Sequence, residues 1–216
     1  AGERSALCAT LDACGIAMDD ALAELYSRVN LSHWKRLERG ETTQERLRVE
    51  RFEDYQRALL ERGMDCARLN PVEMSRCFVE ALSRQRVPMP GAEELLRGVS
   101  ARMPVYLVTN GIASVQRGRF EKSEFKPYFT DILISEELGH FKPDPYMVLE
   151  AMRRAGVTDK RRAVLLGDSV SADIGAAVNA GVDSILFTNG ATAPEDSGAT
   201  FIAPTLADAA RLLLEP

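Results

Sequence analysis

Ala163-Val164-Leu165-Leu166 is followed directly by Gly167-Asp168-Ser169. A continuous apolar run of this length, bounded by turn-forming residues, is typical of a strand buried on both faces of a sheet. Other runs of the same kind are Val105–Thr109, Ile132–Ile134 and Ser184–Phe187, with Thr200–Ile202 as a fifth candidate. The sequence from residue 104 onward therefore predicts a sheet of short, mostly buried strands.

Helical patterns separate these strands. We predict helices over Ser114–Lys122, Pro145–Ala155 and Ser171–Ala180, and a last helix over Leu206–Leu214. Strands that alternate with helices are typical of an α/β domain in which a parallel sheet has helices on both faces. The predicted fold is thus a doubly wound parallel sheet.

The chain changes character at Pro88-Met89-Pro90-Gly91. Upstream of it no strand pattern occurs, and apolar residues recur at helical spacing. The predicted helices are Ala6–Cys14, Asp19–Asn30, Thr43–Arg62 and Pro71–Arg86, the third being the longest, with Thr42 or Thr43 and Glu45 at its start and Gly63 at its end. The predicted domains are an all-helical one over residues 1–88 and the α/β core over residues 89–216.

Composition narrows the function classes. The 216 residues are 45% hydrophobic and 27% charged, with a net charge of -5. This is ordinary globular composition, which excludes a disordered chain. No run approaches the ~20 apolar residues of a membrane helix, and no basic patch favours nucleic acid as a partner.

The cysteines carry little information on function. Cys8, Cys14, Cys66 and Cys77 form no CxxC pair and have no histidine at zinc spacing. Reduced thiols in a cytoplasmic protein are favoured over two disulfides in a secreted one. No apolar heptad or edge signal stands out, so a monomer is expected.

Polar residues follow several of the predicted strands, at the edge where parallel sheets bind ligands. They are Thr109-Asn110-Gly111, then Ser135-Glu136-Glu137 with Lys142-Pro143-Asp144-Pro145, and Gly167-Asp168-Ser169 with Asp173. Each group alone has an ordinary explanation: a turn at Asn-Gly, an exposed loop at Lys-Pro, a helix N-cap at Asp168. Together, in this order and at one edge, they indicate a site.

The chemistry of these residues suits a phosphate and a metal ion. Thr109 offers a hydroxyl, the amides of Asn110 and Gly111 can face an anion at a helix start, and Lys142 offers a positive charge. Asp168 is a hard oxygen ligand of the kind that Mg²⁺ prefers. A further carboxylate, Asp173, is expected to hold a metal-bound water or the loop.

In these motifs the chain resembles the haloacid dehalogenase superfamily of phosphohydrolases. Val105–Gly111 resembles the second motif of that family, Lys142 with Pro143 the third, and Gly167-Asp168 with Asp173 the fourth, the acidic metal motif. The resemblance implies a Rossmann-like core, an inserted helical cap, Mg²⁺ as cofactor and a small phosphorylated metabolite as substrate. It also implies catalytic roles for Thr109, Lys142 and Asp168.

A finer resemblance is to nucleotidases that act on pyrimidine nucleoside monophosphates. It rests on scattered cap positions, among them Asn30, Trp34, Gly40 and Arg51-Phe52-Glu53. Asn30, Trp34 and Arg51 are the cap residues expected to face the substrate. The alternative for Trp34 and Phe52 is packing inside the cap. The two histidines, His33 and His140, are expected to have no catalytic role.

The first motif of that family, DxDxT with the aspartate nucleophile, has no counterpart here. Asp12, Asp19 and Asp20 sit in helical segments without a preceding strand, so none is assigned that role. The resemblance places the first strand between those ending at Thr109 and Asp168, where its loss would leave two inner edges unpaired. We therefore expect roughly 15–20 residues before Ala1 that supply the strand and a short connection; a folded protein beginning at Ala1 would contradict this.

Three functions compete. A Mg²⁺-dependent phosphatase would pass through an aspartyl phosphate that water then hydrolyses. A metal-independent 2-haloacid dehalogenase is the second; Gly167-Asp168 argues against it, and its activity would survive EDTA. A non-catalytic relative that binds phosphate or a nucleotide is the third.

The role of Trp34 is open to test. We predict that Trp34→Ala alters KM or substrate preference more than it alters folding, because a cap face that gates the site sets substrate choice. Steady-state kinetics and thermal melts of the variant measure both effects. A large loss in Tm with unchanged kinetics would instead support packing inside the cap.

Overall fold

The computed structural model describes residues 2–64, 66, 69–85 and 87–215. The chain divides into two compact units. The first contains the residues up to Val87 together with Arg117–Arg119, and the second contains Pro88–Gln116 and the residues from Phe120 onward. Among the helices of the described residues, none combines the length and hydrophobicity needed to cross a bilayer.

All regular structure described up to Val87 is helical. The helices are α1 (Gly2–Ala13), α2 (Asp20–Glu38), α3 (Gln44–Glu61) and α4 (Pro71–Ser83). Side chains cap three of them, because Asp19, Thr43 and Asn70 accept hydrogen bonds from backbone N–H groups of the first turns of α2, α3 and α4. The predicted all-helical character of this region is confirmed.

The prediction of the longest helix was wrong. Helix α2 has 19 residues and α3 has 18, because α2 continues past Asn30 instead of ending there. Tyr26, Asn30, His33 and Leu37 are all buried, so one face of α2 extends a full two turns beyond the predicted end. Helix α4 ends at Ser83, and the predicted end at Arg86 lies outside the described residues.

Aromatic rings form the centre of the helical unit. Tyr26 lies 5.5 Å from Phe52, 5.4 Å from Tyr55 and 5.3 Å from Phe78 between ring centroids. All four side chains are essentially inaccessible to solvent. The helical spacing of Phe52 and Tyr55 thus predicted the buried face of α3 correctly.

The second unit contains every strand of the described residues: β1 (Tyr106–Thr109), β2 (Asp131–Ile134), β3 (Val164–Gly167), β4 (Asp183–Phe187) and β5 (Phe201–Ala203). The helices after Val87 are α5 (Ala92–Ser100), α6 (Ala113–Glu121), α7 (Ser135–Leu138), α8 (Tyr146–Arg154), α9 (Gly175–Ala180) and α10 (Leu206–Leu214); Arg117–Arg119 of α6 are counted with the first unit. A π-helical turn, Val170–Ile174, precedes α9. The predicted Rossmann-like α/β core is confirmed, and every strand boundary lies within one residue of its prediction.

The strands pair in parallel, in two separate sheets. β1 pairs with β2, while β4 lies between β3 and β5. No strand of the described residues pairs with the second edge of β1 or of β3. These two strands are also less buried than β2 and β4, and Val164 of β3 is 38% exposed. They are the strands that the family resemblance places on either side of its first strand.

Helix α5 was missed by the sequence analysis, which passed from Pro90 directly to the first strand. Its buried residues, Leu95 and Val99, are four apart, and Gly91 precedes it with a positive φ of 81°. It packs against α10 so closely that a Cβ on Gly98 would lie 2.7 Å from Leu214 Cδ1. The Leu95–Val99 spacing was the available signal.

We predict that Phe78→Ala lowers the free energy of unfolding by about 3–5 kcal/mol, because the ring is fully buried against Tyr26 and Phe52. Val72→Ala on the same helix is the control; Val72 is 59% exposed, so a change within about 0.5 kcal/mol is expected. Urea unfolding followed by circular dichroism measures both. Equal midpoints for the two variants would contradict this packing.

Candidate active site

Lys142 occupies the loop between α7 and α8 and is only 7% exposed, so the exposed-loop alternative for Lys-Pro is wrong. Its Nζ donates hydrogen bonds to the Val108 carbonyl oxygen at 2.9 Å and to Asp173 Oδ1 at 2.5 Å. An ammonium group has three N–H donors. Two are used within the protein, which leaves one for a ligand.

Asp173 lies inside the π-helical turn after β3. Its Oδ2 accepts a hydrogen bond from the Ser169 backbone N–H at 3.0 Å, while Oδ1 accepts from Lys142. The backbone N–H groups of Asp173 and Ile174 both donate to the Ser169 carbonyl, so the predicted regular helix from Ser171 begins instead as a wider turn. This turn directs the carboxylate of Asp173 back toward the end of β3.

Gly167 makes room for that carboxylate. A Cβ at Gly167 would lie 2.3 Å from Asp173 Oδ2, a distance no real side chain tolerates. The glycine of the Gly-Asp motif is therefore required by close approach of a side chain.

The Lys142–Asp173 pair is buried, with both side chains about 9% exposed. Burying two charges costs several kcal/mol, which attraction repays only when geometry and further hydrogen bonds are good. Here the additional partners are the Val108 carbonyl and the Ser169 N–H. Asp173 offsets much of the charge of the Lys142 ammonium group. Lys142 therefore offers a ligand a fixed N–H donor and not an isolated positive charge.

Asn110 holds the backbone of Lys142. Its Oδ1 accepts from the Lys142 N–H and its Nδ2 donates to the Lys142 carbonyl, both at 2.8 Å. The side chain of Asn110 thereby joins the end of β1 to the lysine loop, 32 residues away in sequence. The sequence predicted a role only for the backbone N–H of Asn110, whereas in the structure its side chain holds the lysine loop.

Thr109 and Gly111 contact each other. The Gly111 N–H, predicted to face an anion, donates to Thr109 Oγ1 at 3.0 Å. A Cβ on Gly111 would lie 2.3 Å from Gln116 Nε2, so any larger residue here would require the Gln116 side chain to move. Thr109 ends β1 and so lies next to Val108, whose carbonyl accepts from Lys142.

A carboxylate from another helix binds the N-terminus of α6. Glu136 Oε2 accepts a hydrogen bond from the Ala113 N–H at 2.6 Å, and a negative charge is favourable at this end of a helix. The residue before the helix, Ile112, has no side chain that could cap it. The sequence places Glu136 among the polar residues that follow β2, but its contact with Ala113, 23 residues away, gives no local signal.

Asp168 follows β3 and is exposed. Within the described part of the chain, no hydrogen bond or ion pair to its carboxylate is found. It is not the helix N-cap, because Ser169 Oγ accepts from the Ala172 N–H in that role. Asp168 is thus the unengaged carboxylate at this edge.

The carboxylate oxygens of this site meet part of the requirements of a Mg²⁺ site. Among the described residues, no group of three or more His, Cys, Asp or Glu side chains is arranged to hold a metal ion. Mg²⁺, however, is commonly bound by one or two carboxylates, with waters and substrate phosphate completing its shell. The oxygen ligand available is Asp168, since both oxygens of Asp173 already accept hydrogen bonds.

The cap candidates differ in accessibility. Arg51 is 2% exposed; its Nη1 donates to Asn30 Oδ1 at 3.1 Å, and its guanidinium lies 4.8 Å from the centre of the Phe78 ring. Asn30 is buried too, while Trp34 is half-buried on α2. Arg51 and Asn30 are therefore part of the interior of the helical unit in this structure.

The histidines have structural partners. His33 Nε2 lies 2.9 Å from Asp54 Oδ2, and the ring is buried. His140 stacks on Tyr146 and lies 3.1 Å from Asp144 Oδ2. Hydrogen bonds from the Tyr146 N–H and from His140 hold the pKa of Asp144 below its usual value. That neither histidine is catalytic stays a prediction.

A model of the haloacid dehalogenase-like hydrolases matches residues 11–181. The chain belongs to this family. The resemblance based on the motifs after the strands is thus confirmed for the family. The members of this family are hydrolases.

Relatives in the family have more specific names. The pyrimidine 5′-nucleotidase YjjG of Escherichia coli is 30% identical over 157 residues, 73% of this chain and 66% of that protein. The pyrimidine 5′-nucleotidase PynA of Streptococcus pneumoniae is 30% identical over 188 residues, 87% and 77% of the two chains. The crystal structure of the HAD-hydrolase YfnB from Bacillus subtilis, bound to magnesium, has a TM-score of 0.86 at 24% identity, covering 98% and 91%.

We predict that Asp173→Asn lowers the free energy of unfolding by about 3–5 kcal/mol, because it leaves the buried Lys142 ammonium without its counter-charge. The double variant Asp173→Asn/Lys142→Met should lose less free energy of unfolding than the two single variants lose together. We expect a coupling energy of about 0.5–3 kcal/mol between the two positions. Urea unfolding of the four proteins in this cycle gives both values.

The matched control is Asp159→Asn, which removes an exposed ion pair with Arg161. Such pairs contribute about 0–1 kcal/mol. Strict additivity of the Asp173 and Lys142 changes would show that the two groups do not interact as the structure indicates.

Proposed function

We propose that this protein is a Mg²⁺-dependent phosphatase that hydrolyses a small phosphomonoester, in particular a nucleoside 5′-monophosphate. The observation that carries the proposal is the buried Lys142, fixed with one N–H to spare and joined through Asp173 to the loop that carries the unengaged carboxylate of Asp168. A fixed positive donor beside a metal-binding oxygen is what phosphoryl transfer requires.

The phosphate is bound by Lys142 and by Thr109. The third N–H of Lys142 donates to a phosphoryl oxygen, while Asp173 and the Val108 carbonyl keep the ammonium in place. The Thr109 hydroxyl, which accepts from the Gly111 N–H, directs its own proton to the phosphate. Asn110 fixes the backbone of Lys142 by two hydrogen bonds. The Gly111 N–H orients the Thr109 hydroxyl by donating to it.

Asp168 is the proposed ligand of Mg²⁺, with Asp173 positioned behind it. The bound ion supplies neutralisation of the charge that develops on phosphoryl oxygens. Asp173 holds the loop after β3 through Ser169 and so orients Asp168. Support for the metal comes from the chemistry of the carboxylate and from the relative YfnB, whose structure contains magnesium.

The nucleophile of the proposed reaction is an aspartate, as the family resemblance implies, and it is assigned to none of these 216 residues. Its carboxylate oxygen forms a bond to phosphorus as the bond to the ester oxygen breaks. Water then cleaves the aspartyl phosphate and releases inorganic phosphate. Turnover is therefore proposed for a polypeptide that also carries this aspartate.

The relatives named pyrimidine 5′-nucleotidase support a nucleoside 5′-monophosphate as the proposed substrate. A net charge of -5 agrees with a small substrate held by local contacts and gives no support to nucleic acid as a partner. We further propose that the protein acts as a cytoplasmic monomer and that the cap, with Trp34 on α2, contributes to substrate choice.

We predict that Asp168→Asn lowers phosphatase activity at least about 100-fold and raises the Mg²⁺ concentration needed for half activity, because it removes the charged metal ligand. Release of inorganic phosphate from a panel of nucleoside monophosphates across a Mg²⁺ titration measures both effects. EDTA should abolish wild-type activity.

The matched control is Glu124→Gln, an exposed acid in the loop before β2 and so at the opposite end of the strands. It should titrate with Mg²⁺ like the wild type. EDTA-resistant release of halide from 2-haloacids would favour the dehalogenase alternative, and nucleotide binding without turnover in the complete natural polypeptide would favour a non-catalytic role.

A further inference from the structure

A cavity of about 670 Å³ borders Asp168 in the second unit. It lies at the carboxyl ends of β3 and β4 and is lined by residues that the proposed chemistry does not use. Its apolar wall includes Met89, Leu166 and Leu206, and its polar residues besides Asp168 include Thr188 and Asn189. Cavities of this size and composition are typical of sites for small organic molecules.

The position of the cavity follows from the register of the sheet. Gly167 of β3 lies opposite Leu186 of β4, so Asp168 and the residues after Phe187 emerge side by side. The sequence Thr188-Asn189-Gly190 after β4 repeats the Thr109-Asn110-Gly111 that follows β1. A second loop of the same composition thus lies at the same edge of the fold, beside the carboxylate proposed to bind Mg²⁺.

Thr188 has a hydroxyl without a partner. Its backbone N–H donates to the Ala203 carbonyl at 3.1 Å, which holds the residue in place. Its Oγ1 is buried, and within the described residues it makes no hydrogen bond. Rotation about χ1 toward the cavity therefore breaks no hydrogen bond, and it presents a group that both donates and accepts.

The apolar wall limits what the cavity can accept. It disfavours a charged or otherwise strongly hydrated guest, because binding would remove water from that guest. A neutral, flat group with polar atoms at its edge fits an apolar wall that has a few polar residues. If the phosphate lies at Asp168 and Lys142, the group that enters the cavity is the organic part of the same molecule.

We propose that this cavity binds the heterocyclic base of a nucleoside 5′-monophosphate, with Thr188 hydrogen-bonding to the edge of the base. This assignment rests on the proposed function and gives it a specificity site. It attributes base recognition to the loop after β4, residues 188–194, in addition to any contribution from the cap.

Two ligands isolate the base: uridine 5′-monophosphate and ribose 5-phosphate, which share the phosphorylated sugar and differ in the base. Ala191 lines the cavity from an exposed loop, so Ala191→Trp fills it without disturbing the core. Glu195→Trp in the same loop is the control, because Glu195 is exposed and is not part of the lining.

Binding is measured by calorimetry and turnover by phosphate release, both with the complete natural polypeptide and Mg²⁺. Ala191→Trp should weaken binding of uridine 5′-monophosphate at least about tenfold and leave ribose 5-phosphate within about twofold. Thr188→Val should weaken uridine 5′-monophosphate about two- to tenfold, the range of one hydrogen bond, and Thr188→Ser should restore it.

The outcomes separate the two proposals. Selective binding of uridine 5′-monophosphate that Ala191→Trp abolishes, without turnover, supports the base site and overturns the phosphatase. Turnover with equal losses on both ligands, or with no loss in Ala191→Trp, overturns the base site and leaves the phosphatase standing. A wild type that binds ribose 5-phosphate as tightly as the nucleotide also overturns the base site.

Discussion

The buried ion pair of Lys142 and Asp173 joins parts of the core that no strand pairing among the described residues joins. β1 and β3 belong to separate sheets, yet the Lys142 ammonium contacts the Val108 carbonyl of β1 and the Asp173 carboxylate after β3. Because an unpaired charge in this environment is costly, the two strand ends are held in a definite relation. The candidate site depends on that relation, since Thr109 and Asp168 follow from these same two ends.

Gly167 makes the pair possible, because the absence of a side chain there admits the carboxylate of Asp173. The Asn110 side chain then fixes the lysine loop by two hydrogen bonds to the backbone of Lys142. Around the ion pair, Gly167 thus provides space and Asn110 fixes the backbone. Only a few side chains are proposed to contact the substrate itself.

The strands and the last helix could be predicted because their signals are local. A buried parallel strand needs a continuous apolar run, and Ala163–Leu166 supplies one. The end of α2 was misplaced because Asn30 reads as a helix-ending residue, whereas here it is buried and bonded to Arg51. Helix α5 was missed because the prolines before it suggested a linker.

Within the candidate site, the sequence predicted which polar residues follow the strands, but it did not predict the contacts that these residues make. The sequence order of Thr109, Lys142 and Asp168 indicated a phosphate and metal site. The partners of Asn110 and Glu136 lie 32 and 23 residues away, and such pairings depend on the folded chain. The same holds for Arg51, whose Nη1 donates to Asn30 on another helix; a substrate-facing role for Arg51 stays a prediction.

The turn at Asn110-Gly111 also has a bearing on the chemical ageing of the protein. Asparagine followed by glycine deamidates when the glycine nitrogen attacks the side-chain carbonyl carbon, which makes asparagine a thermally labile residue. Here that nitrogen donates to Thr109 Oγ1, while the asparagine amide is held by Lys142. Both reacting groups are thus held by hydrogen bonds to other residues in the folded state. The hydrogen bonds that build the lysine loop also protect the covalent identity of the residue that holds it, and they do so only while the protein stays folded.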